Sequence, residues 1–176
     1  MKQLILIRGL SGCGKTTLAN TICGDNESRT MVSADDFFVD ENGVYNFNHE
    51  VLKEAHGWCQ KECQEAMEDD YEVVVVHNTF TRKWEVDPYM ELASVNGYSV
   101  QVLNLYDGGL SDFELSKRCE HDVPPHVIQK QRKRWDKDVY RNKRPTQQFN
   151  PYHQPRRHHN PQYNNRGKFY RKDSQW

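Results

Sequence analysis

The residues best suited to chemistry form a glycine-rich stretch, Gly9–Thr16, which fits the pattern Gly-x-x-x-x-Gly-Lys-Thr. Glycine accepts the positive φ angles that such a tight turn needs, and successive backbone N–H groups then converge on phosphate oxygens. The lysine of the pattern reaches the β- and γ-phosphates, and the following hydroxyl binds Mg²⁺. We therefore predict a site for ATP or GTP with Mg²⁺, in which Lys15 also takes part in catalysis. The predicted nucleotide-binding residues are Gly9, Ser11, Gly12, Cys13, Gly14, Lys15, Thr16 and Thr17.

A second group of polar residues could bind the molecule that receives a phosphoryl group. Asp35 and Asp36 end one short predicted strand, and Asn78 follows another. At the carboxyl ends of parallel strands, a carboxylate can take a proton from an acceptor hydroxyl or order a magnesium-bound water. Asp35 or Asp36 could therefore act as a general base or, with Thr16, order magnesium, although paired acids often only cap a turn. The candidate substrate-binding residues are Asp36, Asn78, Thr79 and Arg82.

Arg118 lies late in the chain, in a region that could close over the phosphates. The segment 116–125 separates two short predicted helices and ends in two prolines. An arginine on such a lid could neutralise the charge that spreads over a transferred phosphoryl group. We therefore predict Arg118 as a catalytic residue. The basic residues at 130–134 fit a solvated helix face as well.

The elements that must position these residues alternate between strands and helices. Short apolar runs such as Val73–Val76 predict buried strands, and apolar residues spaced by three and four over Asn48–Glu68 predict an amphipathic helix. This alternation indicates an α/β fold of the P-loop NTPase or kinase type, a parallel sheet with helices on both faces and a small helical lid. The predicted strands are Lys2–Arg8, Thr30–Ala34, Glu72–His77 and Tyr98–Tyr106, and the predicted helices are Lys15–Cys23, Asn48–Glu68, 81–96, 111–119 and one that begins at Pro125.

The charge of the chain is distributed unevenly although its net value is only −1. From Asn142 onward eight Lys and Arg accompany a single acid, so this segment carries +7 and residues 1–141 carry −8. The segment is rich in Asn, Gln, Pro, His and Tyr and poor in aliphatic residues, a composition typical of disorder. We predict a kinase-like domain over 1–141 and a basic, disordered tail over 142–176. The tail could contact nucleic acid, or it could be a solubilising extension.

No apolar run of the chain is long enough to span a membrane, and the apolar stretch near Met1 is too short for a signal peptide. We therefore expect an intracellular protein, cytoplasmic or nuclear, without a membrane partner. Its five cysteines lack the spacing of a zinc ribbon and are expected to be reduced thiols. The oligomeric state stays open.

Three sequence segments occur in order along the chain, and they read Gly-Leu-Ser-Gly-Cys-Gly-Lys-Thr-Thr, Ser-Ala-Asp-Asp-Phe-Phe and Lys-Arg-Cys-Glu-His-Asp-Val-Pro. Together they resemble the P-loop polynucleotide 5′-hydroxyl kinases. The segments Asp35–Tyr45 and Trp84–Tyr89 are similar to an animal-type subgroup of kinase-like proteins named for binding a Nedd-type ubiquitin ligase. The resemblance covers roughly residues 1–140 and leaves the tail outside.

The resemblance implies transfer of a phosphoryl group from ATP to a 5′-hydroxyl of DNA or RNA. Asp35 matches the general base of the family, and Arg118 matches its lid arginine. Lys15 and Thr16 match the residues that hold the phosphates and magnesium. The implied partner is a single-stranded nucleic-acid end.

Two departures from the family pattern concern the acceptor side. Phe38 occupies a position that is basic in phage-type members, and His77–Phe80 stand where the subgroup has Asp-Asn-Thr-Asn. His77 is interpreted as a half-buried polar residue rather than a catalytic one. Three hypotheses follow: a polynucleotide 5′-kinase, a kinase of a nucleotide or another small molecule, and a nucleotide-dependent nucleic-acid-binding adaptor with little turnover.

Overall fold

The computed structural model describes residues 1–137 and shows a four-stranded parallel sheet. The strands are β1 (Gln3–Gly9), β2 (Arg29–Val32), β3 (Val73–Asn78) and β4 (Ser99–Tyr106). Their order in the sheet is β2-β3-β1-β4, so β1 lies between β3 and β4. The predicted domain boundary after residue 141 and the predictions for the tail lie outside the described residues.

Five α-helices accompany the sheet within the described part of the chain, and they are α1 (Lys15–Cys23), α2 (Leu52–Glu68), α3 (Lys83–Asn96), α4 (Asp112–Arg118) and α5 (Pro125–Lys133). Ile5 and Ile7 of β1 pack with Ala19 of α1 on one face of the sheet. Leu4 and Leu6 belong to the core on the other face, which α2 and α3 cover. The predicted fold class, a parallel sheet with helices on both faces, is confirmed.

Strand β1 is the element that positions the candidate site. Leu4, Ile5, Leu6 and Ile7 are at most 6% exposed because both faces of the strand are covered, and each side chain contributes roughly 1.5–3 kcal/mol by its burial. The next residue, Arg8, is in register with the end of β3 on one side and with β4 on the other. Three strand ends therefore meet where the glycine-rich loop begins.

Strand β2 ends at Val32, two residues earlier than predicted, because the next residues form a capped 3₁₀ turn over Ala34–Phe38. The hydroxyl of Ser33 accepts a hydrogen bond from the N–H of Asp35, and the carboxylate of Asp36 accepts one from the N–H of Ser33. These bonds take the backbone out of the strand ladder. The predicted loop after Asp35 therefore starts with an ordered turn.

Arg8 is a fully buried charge that fastens the end of the described chain to the sheet. Its Nε donates to the carbonyl of Phe80 at 2.9 Å, and both terminal nitrogens donate to the carbonyl of Asp136 at 3.1 Å. The guanidinium also lies 3.9 Å from the centre of the Trp135 ring, a cation–π arrangement. Burial lowers the pKa of Arg8 to about 10, although Asp136 and Glu85 oppose the shift, and the group stays charged at neutral pH.

The two short helices α4 and α5 form a lid-like pair beside the glycine-rich loop. Leu115 of α4 and Ile128 of α5 are fully buried and pack with Leu10 of the loop. The predicted small helical lid is therefore packed through an apolar contact onto the element that it was expected to cover. No helix within residues 1–137 has the length and hydropathy needed to cross a membrane.

Candidate active site

The glycine-rich loop joins β1 to α1 and lies against α4. Gly12 and Gly14 have φ angles of 79° and 96°, in the region that favours glycine. A Cβ atom on Gly12 would lie 2.1 Å from the carbonyl oxygen of Leu115, so the close approach of α4 also requires glycine. The loop ends at Lys15, where α1 begins and its first N–H groups have no partner within the helix. Such a helix start is suited to bind phosphate.

Lys15 is half-buried at the mouth of this loop. Its Nζ donates a hydrogen bond to the carbonyl of Leu10 at 3.0 Å, which holds the ammonium group over the loop. Burial lowers the pKa of Lys15, while the thiol of Cys13, the carboxylate of Asp35 and Cys119 act in the opposite direction. The loop and Asp35 both follow the carboxyl ends of parallel strands, so they lie at the same edge of the sheet.

Ser11 is clamped by Gln131, a residue of α5 that the sequence did not identify as functional. The backbone N–H of Ser11 donates to Oε1 of Gln131, and Nε2 of Gln131 donates to Oγ of Ser11, each at 3.0 Å. Gln131 is only 7% exposed. Its place on the inner face of the predicted helix is the signal by which the sequence could have identified it. Ser11 therefore fixes the loop to α5, and its predicted contact with the nucleotide stays a prediction.

The two neighbouring aspartates serve different purposes. Asp36 is half-buried and caps the 3₁₀ turn through a 2.8 Å hydrogen bond from the N–H of Ser33. Burial raises the pKa of Asp36 to about 6, which that hydrogen bond partly offsets. Asp35 is exposed, and its Oδ1 accepts a 3.3 Å hydrogen bond from the hydroxyl of Tyr45. Asp35 therefore keeps a carboxylate available to an acceptor, and Asp36 has the capping role that paired acids often have.

Asn78 is buried and both ends of its amide are used within the protein. Its Oδ1 accepts from the N–H of Ala34 at 2.9 Å and from the hydroxyl of Ser33 at 3.4 Å. Its Nδ2 donates to the Sγ of Cys59, which also accepts from the hydroxyl of Tyr89 at 3.2 Å. Asn78 therefore positions the turn that carries Asp35, and its predicted contact with a substrate stays a prediction.

The two other predicted acceptor contacts also have partners inside the structure. The carbonyl of Thr79 accepts a 3.3 Å hydrogen bond from the N–H of Gly9, which ties the end of β3 to the start of the loop. Arg82 precedes α3 and forms an ion pair with Asp136 at 2.9 Å. The geometry places Thr79 beside the loop and directs Arg82 toward the end of the described chain.

Arg118 is the last residue of α4 and is exposed. Burial raises the pKa of the Cys13 thiol, and the charges of Lys15 and Arg118 both act against this shift. Arg118 follows Leu115, whose carbonyl approaches Gly12, by three residues in α4, so it lies near the glycine-rich loop, and its catalytic role stays a prediction. By contrast, Arg132 is committed to ion pairs with Asp107 and Asp112.

The lid reaches the acceptor side through His121, which sequence reasoning missed. Its ring stacks on Tyr45 with centroids 4.0 Å apart and an angle of 24°. Tyr45 in turn donates to Asp35, and burial followed by the charge of that carboxylate raises the pKa of the phenol. No local pattern predicts this contact because Tyr45 and His121 lie on different loops.

His77 is buried at the end of β3. Burial, and then the positive charge of Lys15, lowers the pKa of His77 to about 4, so the imidazole is neutral at physiological pH. This agrees with the interpretation of His77 as a structural residue. The charge of Lys15 acts on His77, but the neutral imidazole does not supply the negative charge that an acid at this position would have.

The space between the glycine-rich loop and the turn that carries Asp35 is called the crevice. The oxygen atoms at the crevice fit Mg²⁺ and a nucleotide. Thr16 and Thr17 are exposed in the first turn of α1, and Asp35 is exposed across the crevice. Mg²⁺ prefers oxygen ligands and usually keeps several waters while it binds substrate phosphates. The hydroxyl of Thr16 and a carboxylate at Asp35 are ligands of that kind.

The sheet order, the loop after β1 and the lid define a P-loop protein with a kinase-type fold. The chain belongs to the AAA_33 family, described as an AAA domain, whose model matches residues 4–137. Over 97 residues it is 41% identical to NEDD4-binding protein 2 of Homo sapiens. That match covers 55% of the chain but only 5% of the human protein. The resemblance to the Nedd-related subgroup is thereby confirmed.

Structures of known proteins share the fold. A chain in the structure of the Pnkp1/Rnl/Hen1 RNA repair complex is similar with a TM-score of 0.59 and 17% identity, over 76% of this chain and 43% of that one. A gluconokinase from Sinorhizobium meliloti 1021 is similar with a TM-score of 0.51 and 16% identity, over 76% of this chain and 75% of that one. The fold is therefore shared with a chain of an RNA repair complex and with a gluconokinase.

Proposed function

We propose that this protein transfers the γ-phosphoryl group of ATP to a 5′-hydroxyl end of DNA or RNA. The observation that carries the proposal is the exposed carboxylate of Asp35, which lies at the same edge of the parallel sheet as the glycine-rich loop and Lys15. The capped turn and the amide of Asn78 hold this carboxylate at the crevice. The fold shared with a chain of an RNA repair complex supports a polynucleotide as acceptor.

The residues of the crevice divide the reaction between them. Asp35 accepts the proton of the 5′-hydroxyl while that oxygen bonds to the γ-phosphorus. The bond to the β–γ bridging oxygen breaks, and its electron pair leaves with ADP. Lys15 and Arg118 neutralise the charge on the phosphoryl oxygens. When bound at Thr16, Mg²⁺ supplies further neutralisation of the β- and γ-phosphates.

The test is transfer of label from γ-labelled ATP to short DNA and RNA strands that carry 5′-hydroxyl ends. We expect Asp35→Asn and Lys15→Ala to lower the rate on the order of 100-fold or more, because each removes a group used in the transition state. Asp25→Asn is the matched control, since this exposed aspartate lies in the turn between α1 and β2. Absence of label with ATP still bound through Lys15 would contradict the proposal.

A small-molecule kinase is the second candidate, and the fold shared with a gluconokinase favours it. In that case nucleosides or sugars would be labelled in the same assay, and oligonucleotides would not. Labelling of DNA against RNA strands would identify the preferred acceptor.

A further inference from the structure

A cluster of aromatic rings lies beside Asp35, and we call it the aromatic shelf; its members are Phe37, Phe38, Tyr45, Phe47 and Trp58. The ring of Phe38 is central, with centroids 5.6 Å from Phe37, 6.1 Å from Tyr45 and 5.0 Å from Phe47. Phe37 also contacts Trp58 of α2 at 6.0 Å. These mutual contacts hold the rings in place before any ligand arrives.

The shelf leaves aromatic surface open to solvent. Phe38 is 5% exposed, but Phe37 and Phe47 are 37% and 53% exposed although each packs on it. Adjacent exposed apolar side chains are a feature of interaction sites, whereas singly scattered ones are ordinary. Exposure of these two side chains to water is unfavourable, so a flat apolar ligand that covers them would gain binding free energy.

The shelf is continuous with the candidate acceptor site. Tyr45 stacks on His121 of the lid and donates its hydroxyl to Asp35. Phe37 follows Asp35 by two residues in the same 3₁₀ turn. A strand with its 5′-hydroxyl at Asp35 would therefore bring its first bases to these rings.

The charge of this segment favours bases over phosphates. No Lys or Arg occurs between residues 30 and 52, whereas five acids do. Asp40 and Glu41, at the tip of the loop that carries Tyr45 and Phe47, add to the negative potential. Phosphate groups gain nothing from such a surface, while the uncharged faces of bases stack on aromatic rings without regard to sequence.

We propose that the aromatic shelf stacks the bases at the 5′ end of a single-stranded polynucleotide and thereby selects an unpaired end. The placement of the 5′ end at Asp35 rests on the proposed kinase function. The stacking of bases on the shelf is measured separately, as strand binding without ATP. Phe37 and Phe47 carry the contact because they are the exposed members of the shelf. A base-paired terminus keeps its bases stacked within the duplex and cannot offer them to the shelf.

The test measures binding of a short single strand with a free 5′-hydroxyl and a 3′ fluorophore, by fluorescence anisotropy without ATP. A second strand lacks the bases of its two 5′-terminal nucleotides. The full-length proteins are the unmodified chain, Phe37→Ala, Phe47→Ala and Phe47→Trp. Trp84→Ala is the matched control, because Trp84 is 70% exposed at the start of α3 and outside the shelf. Melting temperature and binding of a fluorescent ATP analogue verify folding.

We expect Phe37→Ala and Phe47→Ala each to weaken binding of the intact strand about 5- to 10-fold or more, the range found when a stacked aromatic is removed. Phe47→Trp and Trp84→Ala should bind like the unmodified chain. On the strand without terminal bases all proteins should bind alike. The salt dependence of binding should not change, because neither phenylalanine interacts with a phosphate.

Equal binding by the unmodified chain and both alanine variants would overturn the proposal and assign the shelf to a protein partner instead. An equal loss on both strands would overturn it too. Label transfer by the same proteins separates the two proposals. Stacking-dependent binding without any transfer contradicts the kinase function alone, whereas transfer that ignores the shelf variants contradicts the shelf alone.

Discussion

Asp35 and Asp36 differ in what their carboxylates contact, although they are adjacent and identical in type. Asp36 closes a capping box with Ser33, and Asp35 meets only the hydroxyl of Tyr45 among the hydrogen bonds found within residues 1–137. The spacing Ser33-x-x-Asp36 is itself a capping pattern, so the sequence contained the signal that separates the two. At the scale of single residues, the structure thus leaves one acid for chemistry and uses the other for the turn.

His77 gives a prediction about pH and stability. Its pKa falls from 6.5 to about 4 in the folded protein, so between these values only the unfolded chain binds the proton. The stabilisation is complete above pH 6.5 and is lost as the pH falls through 4, which amounts to about 3 kcal/mol. Asp36, with its pKa raised to about 6, acts in the opposite direction and loses stabilisation as the pH rises through that value.

His77→Gln should therefore be less sensitive to acid than the unmodified protein. Between about pH 7.5 and 4.5, its free energy of unfolding should fall by about 2 kcal/mol less, as measured by urea denaturation. His49→Gln is the control, because His49 is exposed in the turn before α2. Parallel pH profiles for His77→Gln and the unmodified protein would contradict a buried, neutral imidazole.

At the scale of elements, the glycine-rich loop depends on helices that come much later in the chain. Gln131 of α5 holds Ser11 from 120 positions away, and Leu115 of α4 touches Gly12. The lid therefore supports the glycine-rich loop, in addition to its proposed role as a cover for bound phosphates. A substitution in α5 should therefore change the affinity of the protein for the nucleotide.

Gln131→Ala tests this coupling. It leaves the N–H of Ser11 without its buried partner, at a cost of about 1–3 kcal/mol, and frees the loop from α5. We expect the dissociation constant of a fluorescent ATP analogue to rise roughly 5-fold or more. Gln129→Ala is the matched control, since Gln129 is exposed on the same helix. Unchanged affinity in Gln131→Ala would show that the clamp does not organise the loop.

At the scale of the whole molecule, the features that could be predicted from the sequence are those that local patterns of residues encode. The apolar run of β3 and the periodicity of α2 located these elements within a few residues, and the loop pattern located Lys15. The stacking of His121 on Tyr45 and the clamp of Gln131 join loops and helices that are far apart in the sequence. No local spacing of residues therefore predicts these contacts. Arg8 is the extreme case, because a charged residue inside an apolar strand reveals its carbonyl partners only once the chain has folded.

The distribution of charge gives the last prediction, which concerns the basic residues after Asn142 and follows from the sequence. If these eight cations bind phosphates, a chain ending at Asn142 should bind single strands with a weaker dependence on salt. Each phosphate that is no longer neutralised reduces the slope of log affinity against log salt by about 0.7 for a single strand. The turnover rate at saturating strand should stay within about 2-fold, because Lys15, Asp35 and Arg118 all lie before the truncation.

Anisotropy titrations at several salt concentrations measure the slope for the truncated and full-length chains. A full-length chain with the eight cations changed to Gln is the second variant, since it keeps the length of the segment and removes only its charge. Equal slopes in all three proteins would assign binding to residues 1–141 alone. That result would be difficult to reconcile with the −8 charge of that part, so a smaller slope in both variants is the expected outcome.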